Sequence, residues 1–266
     1  MTDQAHYETI RYARRADVGT LTLNRPAKLN ALNPQMRTEL GHLGAQLAED
    51  DTLRCLVVAG AGTSFSAGLD LSEAMTGTLA QFVDRDPDDD ETIELGLAVA
   101  GVFEFIPQLP CPSVAAVHGH AYGAGLQLAL ACDFRIFAEG ARVGLTEARY
   151  GLLPDMGATF RLPRIIGEGR ARELILLGEI IDAAEAFRIG LANRIAPDHQ
   201  LDSAVDEFAE RLAAQAPLAI RGARAAIDAG WRLGPATSLR MTVAAQARCL
   251  ASDDFKNACQ GIAANG

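Results

Sequence analysis

Apolar positions change period repeatedly along this chain, and each change marks an element. Residues 7–14 and 18–24 alternate or run apolar on either side of a turn near Asp17 and Gly19, which predicts a β-hairpin. Asn33 precedes Pro34 and a stripe of Met36, Leu40, Leu43 and Leu47, the pattern of a capped amphipathic helix. Short apolar runs at Leu53–Ala59, Ser113–Val117 and Asp133–Ala138 predict buried strands, and helices are predicted over 92–106 and 124–131. Strand and helix alternate, which implies an α/β core. From about Asp198 the chain reads as almost continuous helix, with Ser252 capping a last one whose first turn holds Asp253 and Asp254. This divides the chain into a core over 1–197 and a helical region over 198–266. The apolar stripes of that region exceed what one surface helix needs, so it is expected to pack on the core or on another subunit.

Some stretches do not fit that alternation. Residues 72–91 carry Gly77 and the acidic run D-R-D-P-D-D-D-E, and read as a mobile surface loop. Pro87 interrupts the ligand spacing a calcium loop needs, so the run is expected to be solvated charge. The runs F-S-A-G-L-D-L (Phe65–Leu71) and H-G-H-A-Y-G-A-G-L-Q-L-A-L-A-C-D (His118–Asp133) place glycines directly after predicted strands. A glycine-rich turn entering a helix offers free backbone N–H groups to a developing oxyanion. Downstream, E-A-R-Y-G-L-L-P-D-M-G-A puts Glu147 and Asp155 around one loop. Two carboxylates beside such a hole suit proton transfer next to a carbonyl.

Composition narrows the partners. With 266 residues, 49% of them hydrophobic, the chain can bury a large core. A formal net charge of −10 argues against nucleic acid or an anionic membrane surface, while leaving room for local cations on an anionic ligand. No apolar run reaches the ~18 residues of a membrane span, and the start M-T-D-Q-A-H-Y-E has no signal-peptide core, so a cytoplasmic location is expected. Five cysteines lack C-x-x-C spacing and read as reduced thiols. His118 ends an apolar run and His120 enters a glycine turn, so the H-x-H pair is not expected to hold a metal.

Four segments occur in an order that resembles the crotonase superfamily, the enoyl-CoA hydratase/isomerase family: L-T-L-N-R-P-A-K-L-N-A-L-N, F-S-A-G-L-D-L, V-H-G-H-A-Y-G-A-G-L-Q-L-A-L-A-C-D and L-L-G-E-I-I-D-A-A-E-A-F-R-I-G-L-A-N-R-I. The resemblance implies a spiral of ββα units with a helical C-terminal trimerisation region. It implies a homotrimer or dimer of trimers, a coenzyme A thioester as substrate and no separate cofactor. Carried over by position, the oxyanion donors are the backbone N–H groups of Leu69 and Ala124. Ala67, Gly68, Asp70, Leu71 and Gly123 line the thioester and its coenzyme, and Arg25 and Lys28 lie beside the nucleotide. Taken alone, Asp70 reads as a turn or cap residue. F-K-N-A-C-Q-G-I-A-A-N-G stops short of the further basic residues and phenylalanine with which relatives often reach a neighbour's ligand, leaving Lys256 for that contact.

The acid–base positions depart from the simple pattern. Hydratases of the family hold one water between two glutamates. Glu147 aligns with the second, but Gln127 stands at the first, and an amide orients water or substrate without exchanging a proton. Asp155 stands where the family's dienoyl-CoA isomerases carry a carboxylate, although those enzymes also keep an acid at the place of Gln127. Double-bond isomerisation by proton transfer between Glu147 and Asp155 is therefore the first expectation. Enoyl-CoA hydration through Glu147 and Gln127 is the alternative, and acyl-CoA binding with little turnover the third.

Overall fold

β1 (Ile10–Arg15) and β2 (Val18–Leu23) pair antiparallel in the computed structural model of the chain, which describes residues 7–74, 77 and 79–265. The two-residue turn puts Ala16 at φ 51°, a left-handed conformation. Next come α1 (Pro34–Ala48), β3 (Cys55–Gly60), α2 (Leu71–Ala74), α3 (Asp90–Ala100), α4 (Phe105–Gln108) and β4 (Ser113–Val117). The central part holds β5 (His120–Tyr122), α5 (Ala124–Ala131), β6 (Phe134–Ala138) and β7 (Arg142–Gly144). α6 (Ala158–Ile166), α7 (Glu168–Leu177), β8 (Ile180–Asp182), α8 (Ala183–Arg188) and β9 (Arg194–Ala196) follow. The chain closes with α9 (Leu201–Ala213), α10 (Pro217–Arg232), α11 (Pro235–Ala251) and α12 (Asp253–Asn265).

Six strands form one sheet in the order β1-β2-β3-β4-β6-β9, parallel from β2 onward. β5, β7 and β8 form a second, smaller sheet. The parallel strands are apolar on both faces and are covered on both. Leu56, Val58, Ala115 and Val117 meet α1, α4 and α5 on one side. Cys55, Val57, Val114, Ala116 and Ile136 meet Leu201, Val205 and Ala209 of α9 on the other. Such two-sided burial is what a parallel sheet requires.

Local signals explain the helix ends. Asn33 accepts a hydrogen bond from the Met36 amide at 2.9 Å, with Pro34 in the first helical turn. Met36, Leu40, Leu43 and Leu47 are all buried, each contributing about 1.5–3 kcal/mol of apolar burial. The helix predicted over 92–106 is shorter and interrupted. α3 ends at Ala100, a 3-10 turn spans Gly101–Phe103, and α4 begins afresh with Pro107 in its first turn, where a missing N–H costs nothing. The stretch predicted as a loop over 72–91 contains the end of α2 and a 3-10 turn at Leu79–Gln81; residues 75, 76 and 78 lie outside the described residues. Residues 83–91 are exposed, as their charge requires.

The helical region after 197 divides by what it touches. α9 is part of the core just described. α10 reaches back through Arg224, which donates to Asp133 at 2.9 Å and to the Leu109 carbonyl at 2.6 Å. Asp133 also accepts from the Ser113 amide and hydroxyl, so it fastens β4 to α10. Beyond these contacts α10 and α11 leave Ile227, Trp231, Leu239 and Val243 more than half exposed.

Candidate active site

Backbone contacts bring three distant segments together. Asn30 is fully buried, donating to the Ala61 and Ser64 carbonyls and accepting from the Arg25 amide. It clamps the loop before α1 to the turn after β3. The Ala67 amide donates to the Leu29 carbonyl, Leu32 to Gly68, and Asp70 to Leu32. This alternation leaves the Leu69 amide pointing away from the loop, without a protein acceptor among the described residues. The same turn meets β5: Ser66 donates to the His120 carbonyl, and Tyr122 donates to that of Ser66.

Glycine is required where these turns touch. A Cβ on Gly68 (φ 97°) would lie 2.6 Å from the Tyr122 carbonyl oxygen and 3.5 Å from the Ala124 nitrogen. The Leu69 and Ala124 amides are therefore neighbours. Ala124 opens α5, so its amide has no carbonyl one turn back and is also unpaired among the described residues. Gly123, at φ 49° and ψ −121°, turns the chain into the helix, where a side chain would press on Glu147 Oε1. Two convergent, unpaired amides at a helix N-terminus form a ready site for an oxyanion.

Both carboxylates face the same space. A cavity of about 300 Å³ is bounded by Ala67, Gly68, Leu69, Leu71, Gly123 and Ala124. Across from them stand Gln127, Glu147, Asp155, Tyr122 and Met156, and Leu79, Val99, Leu152 and Leu153 supply apolar surface. Gln127 donates to Glu147 Oε1 at 2.9 Å and accepts from the Ala158 amide at 3.3 Å, which fixes its orientation. Glu147 Oε2 is shielded from water and has no hydrogen-bond partner among the described residues. Burial pushes the Glu147 pKa above its ordinary value; its own backbone amide and Gln127 oppose the rise, and the like charge on Asp155 adds to it. Asp155 remains open to the cavity, yet the protein around it desolvates its carboxylate and raises its pKa as well.

The remaining expected contacts sort by position. Arg25 donates to Asp70 at 3.0 Å and to the Ala31 carbonyl at 2.6 Å, and Asp70 also accepts from Ser72. Arg25 and Asp70 thus brace the oxyanion turn from behind and are not in the cavity wall. Lys28 is exposed on a 3-10 turn, also outside that wall. Lys256 pairs with Asp253 of its own helix. Burial raises the pKa of Cys111 to about 11 and of Cys132 to about 12, so both thiols are protonated and inert. Among the described residues no group of three or more His, Cys, Asp or Glu is arranged for a metal, and no helix is long and apolar enough to cross a membrane. Sequence reasoning missed Asn30 and Arg37. The second also lines the cavity, one residue away from the apolar stripe of α1.

Known proteins agree with this geometry. The crotonyl-CoA hydratase of Syntrophomonas wolfei is 34% identical over 94% of this chain and 93% of its own. The 1,2-epoxyphenylacetyl-CoA isomerase of Escherichia coli is 37% identical over 74% of this chain and 73% of its own. The crystal structure of an enoyl-CoA hydratase from Bacillus anthracis superposes with a TM-score of 0.87 at 35% identity, covering 97% of each chain. A family profile described as enoyl-CoA hydratase/isomerase matches residues 13–264. The chain has the crotonase fold and belongs to the enoyl-CoA hydratase/isomerase family, enzymes that act on acyl-CoA thioesters.

Proposed function

We propose that this protein is an enoyl-CoA hydratase in which Glu147 handles the protons and the Leu69 and Ala124 amides hold the thioester oxygen. The Glu147 carboxylate, oriented by Gln127 and set in the same cavity as those two amides, carries the reading. Water gives a proton to the Glu147 carboxylate while the water oxygen bonds to the β-carbon of the enoyl group. The π electrons move onto the thioester oxygen, and the resulting enolate is stabilised by the two amides. The enolate then takes a proton from Glu147 at the α-carbon, which returns the carboxylate to its starting state. Gln127 orients Glu147 and takes no proton. The sequence alone ranked isomerisation first; the hydratase identity of the S. wolfei relative supports the reverse order. Incubation with crotonyl-CoA in deuterated water tests this: the product should gain the mass of one water, and deuterium uptake without that gain would refute hydration.

One observation favours isomerisation as the second reading. Asp155 shares the cavity with Glu147 and also has a raised pKa, so one carboxyl can be protonated while the other is charged. Asp155→Asn separates the two. It should cost about 10²–10⁴ in rate if Asp155 carries the second proton, and less than about tenfold under hydration through Glu147 alone. The exposed apolar faces of α10 and α11 support assembly as a homotrimer or a dimer of trimers, in which a closed ring covers them. Sedimentation as a monomer at micromolar concentration would contradict that assembly.

A further inference from the structure

Arg161 stands in the first turn of α6, where the helix dipole disfavours a cation. Contacts on several sides hold it there. Its guanidinium donates to Glu104 at 2.6 Å and to the Met156 carbonyl at 3.3 Å, and lies 4.7 Å from the centre of the Phe160 ring. Glu104 comes from the junction between the 3-10 turn and α4, so the ion pair joins that junction to the loop after Asp155. Gly157, at φ 101°, turns the chain into α6, and a Cβ there would collide with the Arg161 guanidinium. The next residue, Ala158, opens the helix, so its amide has no acceptor one turn back. Gln127 Oε1 takes that amide at 3.3 Å, while Gln127 Nε2 donates to Glu147 Oε1 at 2.9 Å. A run of contacts therefore leads from Glu104 through Arg161, the Met156–Ala158 turn and Gln127 to the catalytic carboxylate. Gln127 is buried, so the Ala158 amide rather than solvent sets which end of its side chain faces Glu147. Without that anchor the amide is free to rotate and present an acceptor where the carboxylate needs a donor.

We propose that Arg161 is a positioning residue for Glu147: gripped by Glu104, it fixes the Met156–Ala158 turn so that the Ala158 amide holds Gln127 with its donor toward the catalytic carboxylate. The inference rests on the reading of Glu147 as the group that moves the protons. Loss of the grip lets the turn drift, weakens the Gln127 donation and moves the Glu147 titration to higher pH. The other ionisable groups bordering the cavity are Arg37 on α1, Tyr122 on β5, Arg149 and Tyr150 on the 3-10 turn Glu147–Tyr150, and Asp155 on its loop. All of them stay in place when Glu104 or Arg161 is substituted.

Glu104→Ala opens the grip at its outer end, where the side chain is 38% exposed against 11% for Arg161, so the fold should survive. The acidic limb of the kcat/KM profile on crotonyl-CoA should move up by about 0.5–2 units, the upper bound being outright loss of the Gln127 bond. Removing a negative charge would by its field alone move Glu147 the other way, so a rise reports orientation. In a Gln127→Leu background the same substitution should add no shift. Carbon-13 NMR titration of the side-chain carboxyls reads the shift without turnover, with the Glu147 signal assigned by its loss in Glu147→Gln. A shifted signal in a protein that hydrates no enoyl-CoA would uphold the positioning of Glu147 and refute the hydration reading. Arg161→Lys keeps the charge and gives up the fork; it should shift the titration likewise, and it decides the matter if Glu104→Ala does not fold. A Glu147 titration that is unmoved or lowered, or a shift as large in the Gln127→Leu background, would overturn the proposal.

Discussion

Replacing Gln127 with leucine isolates the control of Glu147. Gln127 is 1% exposed and, among the described residues, supplies the one side-chain hydrogen bond that the Glu147 carboxylate receives, at 2.9 Å. Leucine keeps the volume and removes the donor. A hydrogen bond to a charged group contributes ~1.5–3 kcal/mol, and one pKa unit corresponds to about 1.36 kcal/mol. The folded-state pKa of Glu147, already raised by burial, should therefore climb by a further ~1–2 units. Glu147 must be ionised to take a proton from water, so the acidic limb of the kcat/KM profile should move to higher pH by that amount. The assay is loss of the enoyl-thioester absorbance on crotonyl-CoA, measured across the pH range, with circular dichroism to verify the fold. The Ala158 amide also loses its acceptor, which should lower stability but cannot displace a pH limb. A profile that falls in height with its acidic limb unmoved would refute the claim that Gln127 acts through the Glu147 carboxylate.

The other expectations concern geometry and stability. Gly68→Ala would drive a Cβ to 2.6 Å from the Tyr122 carbonyl at φ 97°, parting the two oxyanion turns; kcat should drop by ~10²–10³, and unchanged kcat would show that these amides do not hold the oxyanion. Glu39 is 4% exposed beneath a thin cover; burial pushes its pKa up, but hydrogen bonds from Thr9, Gln35 and the Glu8 amide together outweigh that and hold it below the usual range. Its stabilisation should be complete above the unfolded-state pKa and fade as pH falls through the folded one, so Glu39→Gln should cost about 1–3 kcal/mol at pH 7 and flatten the acid side of the stability curve. Parallel denaturation curves for wild type and Glu39→Gln over that acid range would contradict this.

What could be read from the sequence depended on how far the determining partner lay along the chain. The Asn33 cap, the stripe of α1 and the three buried parallel strands are set by neighbours within a few residues, and all three were legible. β5, β7, β8 and β9 are three residues each, too short to show an alternation, and they exist because distant segments supply their hydrogen bonds. The glycine turns signalled an oxyanion site, but only the fold shows that Gly68 must be small because Tyr122 and Ala124 lie against it. Glu147 and Asp155 were found by motif. Arg37 was not, because its position beside the α1 stripe reads as surface until α3 closes over it. Arg25 and Asp70 were expected as ligand contacts by resemblance to the family, and the structure engages them with each other.

The central claim, that Glu147 carries the protons, is tested most directly by Glu147→Gln in a combined binding and turnover measurement. Glutamine keeps the shape and the contact with Gln127 while removing the titrating group. Because burial raises the Glu147 pKa, the ionised carboxylate destabilises the folded state increasingly as pH rises from the unfolded-state value through the folded one. The variant should therefore be at least as stable as wild type at pH 7. It should bind a saturated acyl-CoA with wild-type affinity and turn over enoyl-CoA slower by about 10²–10⁴. Wild-type kcat in a folded, ligand-binding Glu147→Gln protein would contradict the account.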